Sequence, residues 1–301
     1  MTVSTHTPRR IYPPIVLWAA LLGAGLCWGG TQLFAKISVA SGHPAMGLVL
    51  WQTIIGALMM LAYLVIARRP LPLGRGFLIF YAVCGFLGTA FPHSLSYTYI
   101  KHLPVGIASI LIAIVPMLTL GLSYLLKVDH IDWKRVLGLL LGTAAVFLIL
   151  LPEASLPEEG QWLWAFLPLI TALSYACENV YIAKAQPDGC DAVQALAGLS
   201  FAALLMVVPI AVSQGAWVDL TLFGPEELAL IASSVLHILA YFGLVWLISQ
   251  AGPVFTAQIG YIVTLSGVFF GVIFLGESFA PTVWISLALM MVGLSLVKPV
   301  R

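Results

Sequence analysis

The chain has 301 residues, of which 61% are hydrophobic and only 8% charged, with a mean hydropathy of +1.05 and a net charge of +1. Such a composition excludes a soluble domain, whose helices would carry a narrower apolar stripe and charged outer faces. It also excludes nucleic-acid binding, because no basic run is long enough to track a phosphate backbone.

Ten apolar stretches follow one another, at 14–38, 44–67, 76–100, 104–126, 133–151, 162–184, 191–213, 226–249, 253–275 and 280–297. Each approaches the roughly 20 residues that cross about 30 Å of hydrocarbon. The expected fold class is therefore an all-α membrane protein with ten transmembrane helices. Short links such as Gly42-His43-Pro44 and Arg68-Arg69-Pro70 leave no room for a soluble domain, and the longest break, Pro152 to Gly160, divides the chain in two. The Arg9-Arg10 pair before the first span marks an anchor that stays, since nine more spans follow. Cys27, Cys84 and Cys177 fall inside spans and Cys190 at a span start, without CxxC spacing; no metal or cofactor is expected.

Placing Arg9 and Arg10 in the cytoplasm and alternating sides puts every basic residue on the inner side except Lys36 and Lys101. The outer loops hold Glu153, Glu158, Glu159, Asp219, Glu226 and Glu227 instead. This bias follows the positive-inside rule and predicts both termini in the cytoplasm.

Punctuation repeats between the halves. Leu26-Cys27-Trp28 through Gln32 aligns with Leu173-Ser174-Tyr175 through Asn179, and Leu103-Pro104 with Gly252-Pro253. Five spans is an odd number, so the second copy enters the membrane from the opposite side. The result is two inverted five-helix repeats, 14–151 and 162–298, an arrangement that supports alternating access to a site near the midplane.

At these residues the chain resembles the drug/metabolite transporter superfamily, specifically the ten-helix EamA type, from Trp18 to Lys298. The resemblance rests on Leu26-Cys27-Trp28-Gly29-Gly30, on Leu95 to Pro116, and on Phe274-Leu275-Gly276-Glu277. It implies two EamA repeats, an axial cavity between them, and movement of a small metabolite. Two departures stand out. The first repeat ends Leu126-Lys127-Val128 where the second ends Leu275-Gly276-Glu277, and Trp28 occupies the place of the buried glutamate of the small multidrug branch.

Glu178 is the only acidic residue in the interior of a span, Asp191, Glu226 and Glu227 standing at span starts. A carboxylate in hydrocarbon costs a few kcal/mol, so it must face the bundle interior, be paired or be protonated. It is the candidate coupling group, with a structural role near the cytoplasmic end, beside Lys184, as the alternative. His93 and His237 sit at equivalent places in the third and eighth spans, and Pro92 breaks the third beside His93. The substrate-binding candidates are these two histidines with Trp28, Gln32, Tyr97 and Asn179, joined by Tyr241, Trp246, Gln258 and Tyr261. Protons are the candidate coupling ion.

Tyr12, Trp18, Trp133, Trp162, Trp164 and Trp217 belong to the interfacial belts, and Lys36 is expected to snorkel toward the headgroups. Gly138-x-x-x-Gly142 and Gly267-x-x-x-Gly271 allow close helix approach, within a monomer or across a homodimer. The expected function is a non-enzymatic carrier of the bacterial inner (plasma) membrane, exporting amino acids or related metabolites; its partners are the small-molecule substrate and the bilayer. Uptake or exchange of a vitamin, nucleobase-like compound or osmolyte is the alternative. An intramembrane enzyme built on Thr264-Leu265-Ser266-Gly267 and His237, or a channel, stands further off.

Overall fold

The computed structural model describes residues 12–40, 42–128, 132–150 and 162–296. All of its long elements are helical, as uniformly apolar segments must be where no water can satisfy the backbone. The helices are α1 (Pro14–Ser38), α2 (Ala45–Ile66), α3 (Arg75–Tyr99), α4 (Val105–Leu125) and α5 (Trp133–Leu150). They continue with α6 (Trp162–Ala185), α7 (Ala192–Ser213), α8 (Pro225–Ala251), α9 (Pro253–Leu275) and α10 (Pro281–Leu296). The chain is an all-α membrane protein of ten helices in two inverted sets of five. The Pro152 to Gly160 break and the residues Arg9, Arg10, Lys298 and Arg301 lie outside the described residues.

The two sets share backbone punctuation. Left-handed residues stand at Gly42 and Gly189, each with φ 81°, in the links after α1 and α6. Arg68 and Gly215 close α2 and α7, and Lys127 and Gly276 close α4 and α9. In all four closures the next amide donates to a carbonyl of the last turn: Arg69 to Leu64, Ala216 to Ala211, Val128 to Ser123 and Glu277 to Gly271. Glycine suits this conformation best. The first half uses Arg68 and Lys127 instead.

Helix pairing obeys the same exchange. α1 packs on α8 and α9, and α6 packs on α3 and α4; α2 pairs with α7, α4 with α9, and α5 with α10. Large apolar side chains such as Leu26, Leu61, Leu205 and Ile273 point outward, where lipid replaces water as their solvent. Small residues mark the inner contacts. A side chain at Gly293 would strike the backbone of Gly138 and Gly142, and one at Gly267 would strike Ser109. Both glycine motifs are thus used within one chain.

Several links close the bundle ends. Lys36 turns inward, against the expectation of snorkelling, and its Nζ donates to the carbonyls of Ile100 (2.8 Å) and Leu103 (3.1 Å), which the end of α3 leaves free. Glu277 accepts from the amides of Val105 (2.9 Å) and Gly106 (3.3 Å) and so caps α4 from the α9–α10 link. His43 Nε2 meets Glu227 Oε1 at 2.9 Å, and Arg69 pairs with Asp191, the residue that caps α7.

Candidate functional site

Pro92 shapes the centre of α3. It has no N–H to donate, and the turn before it, Phe86–Ala90, opens into a π-helix. In that register the carbonyl of Leu87 faces the nitrogen of Pro92 and gains nothing from it. Ser174 on α6 supplies the missing donor, its hydroxyl 2.6 Å from Leu87 O. The widened turn brings Gly88 against α6 and α8, where a Cβ would overlap both the Glu178 carboxylate and the Tyr241 hydroxyl. Without a side chain at 88, Tyr241 Oη donates to Glu178 Oε1.

These groups border one cavity, with about 880 Å³ unfilled by protein atoms, its mouth included. α1 contributes Trp28, Thr31 and Gln32, one stripe at helical spacing; α6 contributes Tyr175, Glu178 and Asn179, the same stripe in the other half. α3 adds His93, Ser96 and Tyr97, and α8 adds Ser233, His237 and Tyr241. Gln52 of α2 and Thr256, Ala257 and Gly260 of α9 complete the polar and small-residue walls. The lining has four aromatic faces, two imidazoles, three amides and one carboxyl, and no lysine or arginine among the described residues.

The imidazoles lie edge to face with centroids 4.5 Å apart. Trp28 Nε1–H can only donate, and it meets His237 Nδ1 at 3.0 Å, so the proton of a neutral His237 sits on Nε2. His93 Nδ1 lies 2.6 Å from Gln52 Oε1, an acceptor, which puts the proton of His93 on Nδ1 in this amide orientation. The pair is therefore held as opposite tautomers. Trp28 also lies beside the Tyr241 ring, 6.0 Å between centroids. Asn179 Nδ2 reaches Thr119 Oγ1 at 3.5 Å.

Of the residues singled out from the sequence, Trp28, Gln32, His93, Tyr97, Glu178, Asn179, His237 and Tyr241 border this cavity. Tyr261, Gln258 and Trp246 do not. Tyr261 is buried with its ring over Gly142 of α5, a space that only a glycine leaves open. Gln258 donates to Val254 O (3.2 Å) beside the short break between Pro253–Thr256 and Ile259–Leu275, and its Oε1 is buried without a partner. Trp246 packs edge-on against Tyr12, 5.1 Å between centroids. Glu178 is 2% exposed and bound to Tyr241, not to Lys184.

Sequence reasoning passed over Thr31, Gln52, Ser96, Tyr175 and Ser233, all in the lining. A signal for part of this set was present. His93-x-Leu95-x-Tyr97 in α3 recurs as His237-x-Leu239-x-Tyr241 in α8, and the Trp28/Thr31/Gln32 stripe recurs as Tyr175/Glu178/Asn179. Gln52 and Ser233 had no such marker. Among the described residues no group of three His, Cys, Asp or Glu side chains is placed to hold a metal ion.

A family model described as "EamA-like transporter family" matches residues 14–151 and again 162–298. The chain belongs to the EamA-like transporter family. The EamA match covers both five-helix sets, so the cavity above is the space between two copies of one transporter unit. Among relatives, the chain is 27% identical over 296 residues to a protein of Escherichia coli (strain K12) described as "Uncharacterized inner membrane transporter YedA", covering 96% of this chain and 92% of that one. It is 28% identical over 190 residues to "Uncharacterized protein PA1977" of Pseudomonas aeruginosa, covering 61% of this chain and 62% of the relative. A solved structure described as "Crystal structure of protein" matches with a TM-score of 0.68 at 19% identity, over 93% of this chain and 97% of the other, and bears on the fold alone.

Proposed function

We propose that this EamA-family protein is a secondary carrier of the inner membrane, with its first repeat at 14–151 and its second at 162–298. It exports amino acids or related small metabolites by alternating access. The observation that carries this reading is the shared cavity: equivalent positions of α1 and α6, and of α3 and α8, face one space and differ in charge only at Thr31 and Glu178. In inverted repeats such a site is reached from either side when the halves exchange conformations. The lining, with amides, imidazoles, aromatic faces and a carboxyl but no Lys or Arg among the described residues, suits a small polar organic solute better than a phosphorylated one. The relative YedA, named as an inner membrane transporter, supports the location.

In this reading Glu178 is the coupling group and protons are the coupling ion. The direct test is flux in proteoliposomes. A saturable, temperature-dependent efflux of amino acids accelerated by a pH gradient is expected; a non-saturable flux would make the protein a channel. Both termini are assigned to the cytoplasm from the charge bias of the loops. Alkaline phosphatase fused after Arg301 should accordingly be inactive, and an active fusion would reverse the topology.

A further inference from the structure

The two halves of the cavity treat one tyrosine differently. On α8, the Tyr241 hydroxyl donates a hydrogen bond to Glu178 of α6. The equivalent tyrosine of α3 is Tyr97, and the residue equivalent to Glu178 is Thr31 of α1. Thr31 cannot take Glu178's part, because its side chain is short, carries no carboxyl group, and is turned to its own helix by a 2.6 Å hydrogen bond to Trp28 O. Tyr97 is 3% exposed, lines the cavity, and its hydroxyl has no partner at good hydrogen-bond geometry. Its polar neighbour is Ser233, a second hydroxyl, which makes only a long contact of 3.4 Å to Thr31 O. This corner of the cavity therefore holds two neutral hydroxyls and no carboxyl group, whereas the opposite corner contains that of Glu178.

A buried hydroxyl left with one weak neighbour is costly, and its retention in a binding cavity points to a stronger acceptor that arrives from outside. The Tyr241–Glu178 pair shows which acceptor fits a tyrosine at this place in the fold: the oxygen of a carboxyl group. We infer that Tyr97 receives the carboxylate of the substrate, which takes the position in the first half that the Glu178 side chain takes in the second. The inference rests on the amino-acid reading above and narrows it to solutes that carry a free carboxylate. Lys36, held one turn beyond the cavity-lining Gln32 on α1, places positive charge on the same outer side, offset in part by Glu277.

The test uses the full chain in detergent with Tyr97→Phe, which removes one hydroxyl and keeps the ring. Affinity is measured for the tightest binder among the common L-amino acids and for the amine left when its carboxylate is removed. In the wild type the amino acid should bind better than the amine; in Tyr97→Phe the amino acid should weaken at least about tenfold, the scale of a hydrogen bond to a charged group, with the amine unchanged. The ligand-free variant should melt close to wild type, since the lost hydroxyl has only the weak Ser233 contact. An amino-acid affinity that Tyr97→Phe leaves unaltered, or equal losses for both ligands, would overturn the assignment of Tyr97 while leaving the amino-acid reading in place. Failure of every amino acid to bind the wild type would end both.

Discussion

Gly88→Ala should leave the bundle folded and remove most of its transport. The added methyl falls where Glu178 Oε1 and Tyr241 Oη now meet, so one of the two side chains must move. The carboxylate is the end of a flexible side chain and yields at little steric expense; the α3 backbone does not have to. The hydrogen bond is then lost, and a buried polar group without its partner costs about 1–3 kcal/mol. The helix recovers part of this, because glycine in a helix interior is roughly 0.5–1 kcal/mol worse than alanine. Melting temperature should fall by only a few degrees. Transport should fall at least about tenfold, because the displaced carboxyl sits inside the cavity. Equal flux in wild type and variant, measured in proteoliposomes at matched protein density, would show that the Tyr241–Glu178 contact has no part in the transport cycle.

The fold was legible in the sequence because hydrocarbon thickness imposes one length on every span. The ten expected stretches and the ten helices agree to within a residue or two at most ends. Membership of the cavity was harder to read. In a soluble helix the buried face is the apolar one, but here the helices are apolar all round and lipid-facing leucines resemble packed ones. Only polar residues break the degeneracy, and Glu178, His93 and His237 are polar groups at mid-depth that border the cavity. Tyr261 and Trp246 lie away from the cavity, because an aromatic ring fills space equally well beside a glycine or at the bundle end. Gln258 serves a local helix break. The inward turn of Lys36 was hidden for another reason: its acceptors are backbone carbonyls of Ile100 and Leu103, which have no sequence signature.

Glu178→Gln should separate binding from coupling. Glutamine keeps the shape of the side chain and an oxygen that accepts from Tyr241, so the cavity wall stays intact. It removes the group that can gain and lose a proton. A buried carboxylate costs a few kcal/mol in the membrane, and the neutral amide avoids this, so the variant should be at least as stable as wild type. Substrate binding and substrate exchange should persist. Acceleration by a pH gradient should vanish, because Glu178 is the only acidic residue in the lining among the described residues and its counterpart Thr31 cannot titrate. The decisive comparison is efflux with and without an imposed gradient for wild type and variant in the same vesicles. If the variant keeps the wild-type response, the carboxyl is structural, and the coupling role passes to the imidazoles of His93 and His237, whose tautomers are set by Gln52 and Trp28 and can be perturbed one at a time by replacing those two partners.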